Sequence, residues 1–152
     1  MRCWRIATAK WALDRSGEGV RLYGGRWNPI GYPVIYTGMT VEIAALEKFD
    51  HFPSIASTPL KLVSIDLPDG PDVVYVPDPN ELPAEWQVMP ASASAQEFGR
   101  RWIESREFLA MCVPSAIVAE ASNALINVHH AAFKAVDIQI VRDFSFDARM
   151  FK

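Results

Sequence analysis

The 152-residue chain is poor in the residues that build cross-linked or metal-centred proteins. It has two cysteines, Cys3 and Cys112, and three histidines, His51, His129 and His130. Two cysteines cannot make a disulfide framework, and they read as buried thiols of a reducing compartment. No histidine stands in an HExxH frame, and the adjacent His129 and His130 would point in different directions on a helix or a strand, so no metal is expected. An excess of basic charge is also lacking. Fifteen Lys and Arg against eighteen Asp and Glu give a net charge of −3, which argues against a dedicated nucleic-acid binder. A single arginine can still hold a phosphate locally. No apolar run approaches the roughly 20 residues needed to cross a bilayer. Met1-Arg2-Cys3-Trp4-Arg5 opens no secretory signal, so the expectation is a soluble cytoplasmic protein that does not engage a membrane. Walker loops, internal repeats and low-complexity tracts are missing. Gly17-Glu18-Gly19 begins a dinucleotide fingerprint, but Leu22 stands where the third glycine belongs.

What is present reads as one globular domain over residues 1–152, with half its residues hydrophobic and 22% charged. Strands are expected at Cys3 to Ala7, Leu60 to Leu67, Val73 to Val76 and Val136 to Val141, from β-branched content and alternation. In the last of these, Val136, Ile138 and Ile140 should form a largely buried face. Lys10 to Leu13 reads as a short helix and Asp14 to Gly19 as a loop. Thr40 should cap a helix running to His51 and closed by Pro53, with Ile43, Leu46 and Phe49 as its buried stripe. Ser94 to Glu97 reads as a capping box opening a helix that carries Phe98 and Trp102. Pro114, inside the apolar run Phe108 to Val118, implies an edge position or a bulge. Ser122 to His130 reads as a loop or short helix. Strands outnumber helices, and the class is α+β with mainly antiparallel sheet.

One stretch stands out: Gly24-Gly25-Arg26-Trp27-Asn28-Pro29-Ile30-Gly31-Tyr32-Pro33-Val34-Ile35-Tyr36-Thr37. Pro29 and Gly31 supply turn chemistry, and a hairpin folded about Gly31 would set Arg26 opposite Tyr36. Glu47 lies one turn beyond Ile43, at the border of the helix stripe. Arg26 offers a planar fork for phosphate, Tyr36 a ring face for a cationic ring, and Glu47 a fixed negative charge. Together they suit cleavage of the nicotinamide–ribose bond of NAD, whose transition state resembles the oxocarbenium ion of glycoside hydrolysis. A triad built on Ser115 and His130 is the competing chemistry, but Ser115 has no Gly-x-Ser-x-Gly elbow.

The chain also resembles the RES-domain family, toxins of bacterial toxin–antitoxin pairs. The resemblance rests on Gly17 to Pro29, Val34-Ile35-Tyr36-Thr37, Ala44-Ala45-Leu46-Glu47 with His51 beyond it, Val113-Pro114-Ser115-Ala116, Asn123 to His130, and Phe146-Asp147-Ala148-Arg149. It implies a fold like that of ADP-ribosyltransferase toxins. It implies NAD as the substrate, consumed by hydrolysis, phosphorolysis or transfer to a protein. It assigns catalytic roles to Arg26, Tyr36, Glu47 and Ser115, with Ser115 orienting Glu47 or Arg26 or bonding substrate. Asn127 and His130 would join Arg26 and Tyr36 in binding NAD, although Val128 replaces an expected proline between them. It further implies an antitoxin partner with an Xre-like helix-turn-helix, whose C-terminal segment blocks the cleft, and it allows a homodimer. An inactive domain that only binds nucleotide or antitoxin is the alternative from another class.

Overall fold

The computed structural model describes residues 1–50 and 57–151. His51 and Pro53, expected at the end of the second helix, lie outside the described residues. Seven strands form one sheet: β1 Arg2–Thr8, β2 Ile35–Gly38, β3 Leu60–Asp66, β4 Val74–Tyr75, β5 Ala110–Pro114, β6 Ser122–Ile126 and β7 Asp137–Phe144. Their order is β4-β5-β6-β2-β1-β3-β7. Among the described residues only β4 and β5 pair in parallel, so the expected α+β class with mainly antiparallel pairing holds. Among the described residues three α-helices, α1 Glu18–Tyr23, α2 Val41–Phe49 and α3 Ala93–Ser105, accompany short 3-10 turns.

The inner strands are buried on both faces, which explains their long apolar runs. On β3, Val63 and Ile65 pack with Cys3, Ile35 and Ile126. Leu60 and Leu62 pack on the other side with Ile6 and Ala44 of α2. β6 follows the same rule. Leu125 joins Trp27, Trp102 and Met111, while Ile126 joins the opposite cluster. The sequence reading of Ser122 to His130 as loop or helix is thus corrected over Ser122–Ile126. Flanking polar residues hid a strand that pairs with both β2 and β5.

Four other expectations change. No hairpin folds about Gly31: β2 pairs with β1 and β6, and residues 24–34 form a loop that contains a tight turn bridged at Gly25↔Asn28. α1 occupies part of the expected glycine-rich loop, because Gly17 turns left-handed (φ 65°) just ahead of it. α3 is capped by Ser92, whose Oγ accepts the Ala95 N–H at 3.2 Å, and Glu97 pairs with Arg100 instead of closing a box at Ser94. β7 is an edge strand whose expected face is buried only at its start: Val136 just before it is buried and Ile138 packs on the core, but Ile140 is 42% exposed. Pro114 ends β5 beyond its short pairing with β4, where that side of the strand needs no N–H donor.

Candidate functional site

α2 begins as its sequence dictates, with Thr40 Oγ1 accepting the Ile43 N–H at 3.3 Å. Its buried side is Ile43 and Ala44, while Leu46 is 37% exposed. The helix is therefore rotated from the expected stripe, and the rotation turns Glu47 inward. Gly38 makes this contact close. A Cβ there would lie 2.6 Å from both the Ala44 backbone N and Ile43 Cγ2. Only a glycine lets α2 settle onto β2, one turn ahead of Glu47.

Glu47 Oε1 accepts two hydrogen bonds, from Ser115 Oγ and from Asn123 Nδ2, each 2.8 Å. Oε2 makes no hydrogen bond with a described residue. Ser115 is fully buried at the end of β5. Its oxygen also accepts the backbone N–H groups of Ile117 (3.0 Å) and Val118 (3.3 Å). Those two bonds fill the lone pairs of a hydroxyl, so its proton has one destination, Glu47.

Arg26 is held from the other side. Trp27 is buried, stacked on Trp86 (centroids 5.9 Å, 22°) and edge-on to Phe98. Its carbonyl presses on Gly99 of α3, where a Cβ would come within 1.6 Å. Arg26 Nη1 donates to the carbonyls of Trp86 (2.7 Å) and Val88 (2.8 Å). Nε and Nη2 carry no hydrogen bond to a described residue. The Tyr36 hydroxyl accepts the Trp27 N–H (2.9 Å) and donates to Asn28 Oδ1 (2.7 Å). Burial raises this phenol above its ordinary value, against the opposing effects of the Trp27 N–H and Arg26.

Arg26, Tyr36 and Glu47 line one cavity of about 1150 Å³, together with Asn123, Arg5 and Lys48. That volume exceeds the ~300–1,000 Å³ of common small-molecule sites and leaves room for a dinucleotide. Burial, then the neighbouring Arg5, lowers the basicity of Lys48. Ser115 lies behind the lining. Asn127 and His130 are not among the lining residues either. Asn127 Nδ2 donates to the Ile103 carbonyl, its Oδ1 accepts the His129 N–H, and His130 Nδ1 accepts the Ala132 N–H. The Asn127 and His130 side chains thus brace the chain after β6. Asn123 is the residue that sequence reasoning did not single out. Its signals were its place at the start of the family-like stretch Asn123 to His130 and a lone amide ahead of the apolar run Ala124-Leu125-Ile126. Among the described residues, no group of three or more His, Cys, Asp or Glu is placed to hold a metal. No helix among them is long and apolar enough to cross a membrane.

An arginine, a tyrosine and a doubly anchored glutamate thus wall one cavity on a seven-stranded α+β sheet. The RES domain profile matches residues 2–148, and the chain belongs to that family. It is 37% identical over 157 residues to the Prs ADP-ribosylating toxin of Sphingobium sp. (strain YBL2), covering 98% of this chain and 96% of that protein. It is 33% identical to a Toxin Res of Photorhabdus laumondii, covering 100% of this chain and 98% of that protein. The toxin–antitoxin complex MbcT–MbcA of M. tuberculosis contains a similar fold, with a TM-score of 0.70, 19% identity, and coverage of 99% of this chain and 86% of that one.

Proposed function

We propose that this chain is the toxin of a type II toxin–antitoxin pair and that it cleaves NAD at the nicotinamide–ribose bond. The observation that carries this reading is the Glu47 carboxylate, anchored through Oε1, with Oε2 making no hydrogen bond to a described residue, in a cavity that also contains Arg26 and Tyr36. In the reaction the C1′–N bond breaks and its electron pair passes to the pyridinium nitrogen, leaving neutral nicotinamide. Positive charge develops on the ribose, where the carboxylate stabilises it more than it stabilises the ground state. Tyr36 offers its ring to the pyridinium, its hydroxyl being taken up by Trp27 and Asn28. Nε and Nη2 of Arg26, which have no partner among the described residues, suit the diphosphate. Water, phosphate or a protein side chain then bonds to C1′ through a lone pair, and the proton that a neutral acceptor carries is released to solvent.

The relative named as an ADP-ribosylating toxin favours a second reading, in which the acceptor is a specific protein. The antitoxin partner, with an Xre-like helix-turn-helix, and a cytoplasmic site of action belong to the same proposal, as do action as a single domain and the option of a homodimer. The test is nicotinamide release by the purified chain, with and without inorganic phosphate, and with labelled NAD to trap modified protein. Release is expected, and Glu47→Gln should lower it roughly 10²–10³-fold, as for other electrostatic stabilisers of a transition state. No release in any arm would reduce the cavity to a nucleotide- or antitoxin-binding site.

A further inference from the structure

We infer that Asn123 is a positioning residue that works through Glu47, an inference that rests on the proposed reading of the cavity. Asn123 sits on β6 opposite Gly38 of β2 and Val113 of β5. Gly38 is two residues from Tyr36, so Asn123 and Tyr36 share one face of the sheet. With no side chain at Gly38, α2 descends onto that face and brings Glu47 within 2.8 Å of the Asn123 amide nitrogen.

The arrangement sacrifices something. Asn123 Oδ1 is buried and has no partner among the described residues. A flip of the amide cannot relieve it, because two acceptors, Oδ1 and Glu47 Oε1, would then face each other. An apolar side chain would leave no orphan atom and would suit an inner strand better. What the amide supplies is a second donor aimed at the same carboxylate oxygen that Ser115 already holds. Two donors arriving from β5 and β6 fix the carboxylate plane, which one bond leaves free to rotate. They also occupy Oε1, so any proton or ribose hydroxyl that Glu47 takes must go to Oε2. Ser115 is the rigid anchor behind the carboxylate, and Asn123 sets the direction in which Oε2 points.

The test compares Asn123→Leu and Asn123→Asp with the unmodified full chain. Nicotinamide release should fall roughly 10- to 100-fold in kcat, the equivalent of one hydrogen bond to a charged group. KM for NAD should change little, and Asn123→Leu should keep its thermal midpoint. In a Glu47→Gln background, Asn123→Leu should cause almost no further loss, since the residue acts through Glu47. A second readout needs no turnover: the Asn123 side-chain amide signals in 15N NMR, assigned by their absence from Asn123→Leu, should shift in Glu47→Ala. Unchanged kcat, additive losses, or amide signals indifferent to Glu47→Ala would each overturn the inference. An unmodified chain that releases no nicotinamide overturns the proposed reaction instead, and the amide signals still decide whether Asn123 holds Glu47.

Discussion

Ser115 Oγ donates to Glu47 Oε1 at 2.8 Å, joining residues 68 positions apart in the chain. The serine is buried and the glutamate borders the cavity, so the hydroxyl acts on the carboxylate from behind. Ser115→Ala should therefore lower kcat for nicotinamide release without abolishing it, and less than Glu47→Gln does. It should also cost about 1–3 kcal/mol of stability, since the Ile117 and Val118 N–H groups lose their acceptor. Chemical denaturation beside steady-state kinetics reads both effects. Complete loss of activity in a folded Ser115→Ala protein would mean that the hydroxyl itself reacts.

Arg26 performs a second task besides any contact with substrate. Through Nη1 it fastens the carbonyls of Trp86 and Val88, and Met89 and Pro90 then border the cavity. Arg26→Ala should raise KM for NAD and speed hydrogen exchange in residues 86–91. Arg26→Lys should restore part of the fastening but little of the NAD affinity, because an ammonium cannot present a planar fork. Exchange mass spectrometry and NAD titration separate the two roles.

Tyr36→Phe is expected to be more harmful than removal of one exposed hydroxyl. It strands the Trp27 N–H and Asn28 Oδ1 together, for about 1–3 kcal/mol. It also alters the alkaline limit. The folded phenol titrates above the unfolded one, so its contribution is complete below about pH 10 and is lost as the pH rises beyond that. Tyr36→Phe should be less stable at neutral pH yet lose less stability above pH 10. Urea titrations across that range check the sign.

Gly38→Ala tests the close approach of α2. The added methyl meets the backbone N of Ala44 at 2.6 Å, so the helix must lift. Overpacking of this kind costs about 1–3 kcal/mol, and kcat should fall further than that stability loss explains, because Glu47 rides on α2 and leaves its two donors. Thermal melting and nicotinamide release on the same preparation give the comparison.

Much of the frame was legible in the residues. Alternation and β-branched content located β1 and β3, and Thr40 marked the start of α2, because these signals are local. The pairing of Arg26 with Tyr36 across a hairpin was not what formed. The two are neighbours because the Tyr36 hydroxyl binds the loop at Trp27 and Asn28, a contact with no sequence period. β6 was misread because a strand buried on both faces shows no alternation, and its polar start resembles a loop.

The sequence by itself determined the composition of a globular α+β chain and the cap of α2, and it held the few side chains that the proposed reaction calls on. Tertiary structure alone decided which of them meet. The rotation of α2 exposes Leu46 and turns Glu47 inward, and Asn123 becomes a partner only because β6 lies beside β2. Local propensity acts over a few residues, whereas the direction of a carboxylate is set by packing between segments far apart in the chain.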